Sequence, residues 1–209
     1  MKTDTAPQGL GAYQRARRLS LAALLVLVFA VLLFGQSILP PDTPVHEGIE
    51  MIGIVLIVIG IAGRLWSTLY IGGRKSEEVV ADGPYSITRN PLYVFSSIAA
   101  IGVGAQMGSV TAAIGFGVAC AAAFHIVILR EEKFLSANLG PTYQAYLARV
   151  PRFFPKLSLY NEGPAIGFRP ANLLVTLLDG LVFFVAMPLF ELIDAAQLSG
   201  SLPVLFRLP

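Results

Sequence analysis

Two polar stretches carry the residue types that do chemistry in an otherwise apolar chain. The first is Gly72 to Pro91, GGRKSEEVVADGPYSITRNP, and the second is Arg130 to Pro155, REEKFLSANLGPTYQAYLARVPRFFP. In the first, Asp82-Gly83-Pro84 is a turn signal. Pro91 holds Asn90 in extended geometry and suits the first turn of a helix, which makes Asn90 the expected N-cap. The N–H groups of such a helix start favour an anion. Arg89 beside them adds a forked cation shaped for a carboxylate. The plain alternative is a capped helix whose arginine reaches lipid phosphates. In the second stretch, Phe134, Leu135, Ala137 and Leu139 are apolar, and Tyr143 and Tyr146 follow a Gly140-Pro141 break, as in an interfacial helix. Glu131 and Glu132 sit where an apolar run ends. A carboxylate there opposes the helix dipole, so the pair calls for a ligand hydroxyl, an ammonium or an arginine, unless it is merely solvated.

The elements that position these stretches are membrane helices. Apolar residues make up 55% of the 209-residue chain and charged ones 13%, with mean hydropathy +0.70. A soluble domain carries about twice that share of charge. A net charge of +2 is too small for a nucleic-acid surface. One cysteine, Cys120, excludes an internal disulfide and any multi-cysteine metal site. Crossing a bilayer takes about 20 apolar residues, and Leu19 to Leu39, Ile49 to Ile71, Ser109 to Leu129 and Asn172 to Asp194 qualify. The shorter Leu92 to Met107 reads as the first arm of a tight hairpin. Gly104 and Gly108, then Ala113, Gly117 and Ala121, recur at every fourth position and suit close helix contact. Continuous apolar runs exclude a β-barrel.

Basic residues set the orientation. Five spans with a cytoplasmic N-terminus put 13 of the 15 Lys and Arg on one side, leaving Arg64 inside a span and Arg207 near the C-terminus. The first span is read as retained, because its apolar run outlasts a signal-peptide core and no small-x-small site precedes Pro40 and Pro41. Both polar stretches then emerge at the cytoplasmic face. Arg64 and Asp179 each lie seven residues, about 10 Å, inside that boundary, and intramembrane charges are expected to pair or to hold a substrate. Arg149 and Arg152 are further contacts for an acidic acceptor. His46 falls at the outer face. His125 is open between a base and an interior hydrogen-bonded residue.

The pair GPYSITRNPLY (Gly83 to Tyr93) and EEKFLSANLGPTYQAYLARVPRFFP (Glu131 to Pro155), with Arg64-x-Trp66 ahead of it, resembles the integral membrane methyltransferases. These are the isoprenylcysteine carboxyl methyltransferases and the related phospholipid methyltransferases. The resemblance covers roughly Arg64 to Pro155. It implies S-adenosylmethionine as donor, S-adenosylhomocysteine as product, and a pocket closed by the segment after the fourth span. By motif position Tyr85, Arg89, Asn90, Pro91 and Tyr93 form one wall, and Glu131, Glu132, Leu135, Gly140, Tyr143 and Tyr146 the other. Arginine suits the donor's carboxylate, glutamate its hydroxyls or amino group, and tyrosine faces its sulfonium. Arg89 and Glu132 lead the set. Two positions depart from the pattern: Asn90 stands where the family often has His, and Phe95 where it often has Gly. An asparagine is no general base, and Phe95 narrows a lipid-facing entrance.

The expected protein is an all-α, polytopic membrane protein of five transmembrane helices. It has a tight third–fourth hairpin, a cytoplasmic interfacial segment, and one membrane-embedded domain over 1–209 whose cofactor core is 64–155. Its expected partners are membrane lipids and a lipophilic acceptor, foremost a carboxylate on an isoprenoid-like molecule, contacted by Arg64, Arg152 or Asp179. Methyl transfer from a sulfonium needs alignment and dryness above all. A carboxylate or thiolate acceptor needs no base, whereas an ammonium must first lose a proton. A phospholipid amine, a small thiol and a non-catalytic membrane module are the alternatives.

Overall fold

The computed structural model describes residues 30, 33–41, 43–71, 78–163 and 169–209. Most of the expected first span, Leu19 to Leu39, lies outside the described residues, as do Lys2, Arg15, Arg17, Arg18, Arg74 and Lys75. Helix α1 is Pro44–Ile71, α2 the single turn Pro84–Ile87, α3 Pro91–Ala105 and α4 Val110–Arg149. Helices α5, Pro170–Leu181, and α6, Ala186–Leu198, are joined by a 3-10 turn over Val182–Val185. Strands β1, Gly35–Ser37, and β2, Phe206–Leu208, pair as a small two-stranded sheet.

The chain divides into two compact units. One comprises Ser37–Glu191 with Leu208–Pro209 and contains every candidate site residue. The other comprises Met1–Gln36 with Leu192–Arg207. In this second unit the buried Gln197 amide donates to Leu33 O at 2.9 Å and Gly35 O at 3.1 Å, fastening α6 to the chain before β1.

In the larger unit, small residues set how closely helices approach. On α1, Gly53 and Gly60 lie seven residues apart on one face, turned toward α3. A Cβ at Gly53 would fall 2.8 Å from Gly102 O, and one at Gly60 would fall 2.6 Å from Ala99 Cβ. The next turn, at Gly63, is filled by the Phe95 ring. In lipid such contacts depend on packing, since the hydrophobic effect does not separate helix from lipid. The spacing of Gly53 and Gly60 was legible as a face, yet the stripe singled out from sequence was the one on the hairpin. That hairpin is present. Gly108 turns it at φ +60, Ser109 caps α4 by accepting from Ala112 N at 3.2 Å, and a Cβ at Gly104 would meet Ala112 O at 2.6 Å.

Among the described residues, three helical stretches are long and apolar enough to cross a bilayer: Pro44–Ile71, Val110–Arg149 and Pro170–Leu198. The fourth, α3, has 15 residues and spans about 22 Å at 1.5 Å per residue, short of the hydrocarbon thickness. The 40 residues of α4 form two helices across a kink at Gly140; the part before the kink reaches about 45 Å, already more than that thickness, so it continues beyond the apolar run. The expected interfacial helix is therefore an extension of a spanning helix. It bends where Gly140 adopts φ +56 ahead of Pro141, a conformation glycine takes without steric cost. The last span is broken rather than straight. Pro188 supplies no N–H and its ring opposes the carbonyl four residues back, and the chain tightens to 3-10 geometry just there, at Val182–Val185.

The glycine contacts give a direct expectation. Gly60→Ala places its methyl against Ala99 and Phe95 O and lowers the thermal midpoint in detergent. Gly115→Ala, whose Cβ would meet nothing within 4 Å, leaves it unchanged or raises it, since alanine favours a helix by about 0.8–1.0 kcal/mol over glycine. A parallel melt of the two variants checks the difference in sign.

Candidate functional site

The two polar stretches meet. The turn at Gly83, φ +54, brings α2 back beneath α3. The chain after α4 then runs beside it, bonded by backbone groups. Arg89 N donates to Pro151 O at 2.9 Å, Lys156 N to Ile87 O at 2.9 Å and Gly83 N to Asn161 O at 2.7 Å. Thr88, 1% exposed, donates its hydroxyl to Phe153 O at 3.1 Å. Asn90 occupies the N-cap position of α3 but makes no side-chain cap. Its amide instead donates to Arg152 O at 2.9 Å. The expected cap is corrected: the neighbouring strand of chain offers a carbonyl, and an amide can donate to it where a capping oxygen could not. The start of α3 also has little to offer an anion. Pro91 has no N–H, and those of Tyr93 and Val94 both go to Asn90 O.

The charges converge on one carboxylate. Glu132, 7% exposed, accepts from Arg89 Nη1 at 3.1 Å and from Arg152 Nη2 at 2.9 Å, with Arg152 Nε at 3.1 Å from the same oxygen. Because the helix runs on past Glu132 to Gly140, the expected clash with a helix C-terminus does not arise; it is burial that calls for the two arginines, from the α2–α3 loop and from the segment after α4. Glu131, its neighbour, accepts from the Tyr93 hydroxyl at 2.9 Å, and the Tyr93 ring stacks on Phe124 with centroids 4.6 Å apart. Tyr146 donates to Tyr85 O at 2.8 Å and packs with Tyr143 in a small core completed by Val150.

These residues surround a cavity of about 340 Å³, within the range of small-molecule sites. Of the residues singled out from sequence, Tyr85, Arg89, Asn90, Pro91, Tyr93, Glu131, Leu135, Tyr143, Tyr146 and Arg64 line it. Glu132 and Gly140 do not: the first holds the arginines and the second bends α4. Arg152 reaches the site only through Glu132, and Asp179 is exposed on α5, away from the lining. Arg64 and Asp179 make no ion pair at contact distance, although Asp179 is near enough to act on Arg64 electrostatically. Arg64 Nη1 donates to Ser96 Oγ, and its guanidinium lies 6.0 Å from the Phe183 ring centroid. Sequence reasoning missed Glu78, Thr68, Ser96, Phe124, Leu139 and Thr176, which also line the cavity. Thr68 carried a signal, being one turn after Arg64 on the same face; Thr176 and Phe124 carried none.

The lining offers unpartnered donors to the acceptor atoms of a polar ligand. Among the described residues, Tyr85 Oη, Arg89 Nε and Arg64 Nε are buried lining atoms without a hydrogen-bond partner, and a buried donor left unpaired costs about 1–3 kcal/mol. Burial pushes the Tyr85 phenol well above its usual range, with Tyr146, Glu131 and Tyr93 adding to the effect, so it stays a neutral donor. Aromatic faces, an acidic group, two guanidiniums and the apolar Leu135 and Leu139 complete the set.

Residues 49–142 match the phospholipid methyltransferase family. Over 204 residues the chain is 31% identical to the nickel-cobalt-cadmium resistance protein NccN of Alcaligenes xylosoxydans xylosoxydans, covering 98% of this chain and 95% of that protein. It is 39% identical over 138 residues to the cobalt-zinc-cadmium resistance protein CzcN of Cupriavidus metallidurans, covering 66% of this chain and 63% of that protein. No solved structure matches it.

The ion cluster gives the expectation for this site. Glu132→Gln leaves two guanidiniums adjacent with no shared counter-charge and destabilises the fold by about 3 kcal/mol. Arg152→Ala costs less, because the Arg152 side chain is 38% exposed. Denaturation of the two variants in the same detergent ranks them.

Proposed function

The chain belongs to the phospholipid methyltransferase family, and from that premise we propose that it transfers a methyl group from S-adenosylmethionine to a lipophilic acceptor within the membrane. The observation that carries this reading is the cavity itself, whose buried donors Tyr85 Oη and Arg89 Nε have no partner in the protein. We assign the donor to the end formed by Tyr85, Arg89, Glu131, Tyr143 and Tyr146. There Arg89 and Tyr85 hold polar oxygens, Glu131 faces hydroxyls or an ammonium, and the tyrosine rings favour a cation. Leu135 and Leu139 give an apolar wall for a base. S-adenosylmethionine supplies an electrophilic methyl on a sulfonium, and the protein aligns the acceptor and excludes water.

The acceptor enters from lipid, and its leading chemistry is a carboxylate on an isoprenoid-like molecule. A carboxylate is already ionised at neutral pH and needs no base. That agrees with a lining, among the described residues, that contains no histidine. The whole protein then reads as one membrane-embedded domain of five spans, with N-terminus and site at the cytoplasmic face, as the distribution of Lys and Arg favours. From the names of the two relatives we take metal resistance as the setting of this methylation.

Purified protein in nanodiscs is expected to bind S-adenosylhomocysteine. Arg89→Ala weakens binding by about tenfold or more, as for a lost charge-assisted bond, and Tyr85→Phe weakens it less. Titration calorimetry measures all three; no binding by the parent protein overturns the enzymatic reading. In the host, loss of the protein is expected to raise sensitivity to nickel or cobalt, with rescue by the native chain and not by Arg89→Ala. Equal rescue by both separates the metal phenotype from methyl transfer.

A further inference from the structure

The chain after α4 is firmly held on one side and apolar on the other. Lys156 N donates to Ile87 O at 2.9 Å and Asn161 N to Ser86 Oγ at 3.0 Å, which fastens it to α2, whose own residues are all buried. Its free side carries large apolar groups. Phe154 is 84% exposed, Leu157, which opens a 3-10 turn over Leu157–Leu159, 75%, and Tyr160 51%. Phe153 packs edge-on against Phe154 with centroids 5.9 Å apart and widens the patch. A contiguous apolar patch on a fixed segment marks a contact surface. Two observations say with what. The first is level. The Tyr160 and Trp66 ring centroids are 6.3 Å apart, and Trp66 lies five residues, about 7.5 Å, before the end of α1 at Ile71. The segment therefore runs beside the last turns of a helix that is long and apolar enough to cross a bilayer. The second is composition. Residues 152–160 read RFFPKLSLY, with no acidic residue and with Lys156 exposed. Aromatic and basic side chains together suit head-group level, where a lysine lays its stem on apolar surface and its ammonium among phosphates. A protein partner would account for the patch but not for its level beside α1.

We infer that residues 152–160 are a bilayer anchor that docks at the head-group boundary, inserting Phe154 and Leu157 and setting Lys156 among lipid phosphates. An interfacial segment of this kind buries its apolar side about 5–10 Å into that boundary. The anchored segment also carries Arg152 to Glu132, so the membrane surface steadies one support of the cavity wall. The anchor does not depend on what the cavity binds, and a protein that fails to bind S-adenosylhomocysteine still docks in this way.

The test uses the full-length protein in nanodiscs of phosphatidylcholine and phosphatidylglycerol. Trp66 is the single tryptophan, so Phe154→Trp in a Trp66→Phe background gives one reporter at the patch, and Leu157→Trp in the same background gives a second. Lipids brominated near the head group are expected to quench both reporters by about twofold or more, and more than lipids brominated deep in the chain, as shallow insertion requires. Acrylamide in the water quenches them weakly. Cys120 is the single cysteine, so a nitroxide on Phe154→Cys in a Cys120→Ala background carries the test should the tryptophan variants fail to fold. Oxygen is expected to reach that nitroxide more readily than a water-soluble nickel chelate does. Reporters open to acrylamide or to the chelate, and untouched by brominated lipid, overturn the inference. Shielding that appears in native membrane vesicles but not in nanodiscs assigns the patch to a protein partner and overturns it equally.

Discussion

One carboxylate joins three parts of the chain. Glu132 sits near the point where α4 leaves the apolar stretch, and it is held by Arg89 from the α2–α3 loop and Arg152 from the segment after α4. Two arginines brought together repel, and a buried glutamate alone is costly. Together the three neutralise most of that cost and fix the walls of the cavity relative to each other. The backbone bonds between 83–90 and 151–161 run alongside, so the cluster and the zipped chain support one arrangement. Arg89 is thereby held with its Nη1 on Glu132 and its Nε left toward the cavity. The residue that meets a ligand is positioned by one that does not.

The membrane explains where this cluster had to form. Within the helices, packing relies on close approach of small residues, and the polar side chains there bond mainly to carbonyls one turn back. The charges of the site gather at one end of the helices, where α4 carries Glu131 and Glu132 past the apolar run. The cavity reaches from these charged groups in among the apolar helices. Its outer part is lined by tyrosines and charged groups, and its inner part by Thr68, Ser96, Thr176 and Arg64. A cavity with both parts suits a polar donor and an apolar acceptor meeting in one space.

Much of this was legible in the sequence because its signals are local. Asp82-Gly83-Pro84 marks a turn and Gly140-Pro141 a bend, and both glycines take positive φ. The four-residue spacing of Gly104 and Gly108 marked the hairpin. What was not legible depends on which way side chains turn. Arg152 was read as an acceptor contact, and only the fold of 150–161 against α2 and the α2–α3 loop turns it onto Glu132. Asn90 was read as a cap, and only the nearby Arg152 carbonyl draws its amide away. Arg64 and Asp179 match in depth along their helices, but depth does not specify contact, and Asp179 acts on Arg64 only at a distance. The break at Val182–Val185 had a signal in Pro188 that hydropathy averages over.

The central claim is that Arg89 and Glu132 act as a unit in shaping the donor end of the cavity. A double-mutant cycle with Arg89→Ala, Glu132→Gln and the pair, read as affinity for S-adenosylhomocysteine in nanodiscs, measures it directly. The account predicts strong non-additivity, with the double variant scarcely worse than Arg89→Ala alone. Losses that simply add would show that the two residues act independently and would contradict it.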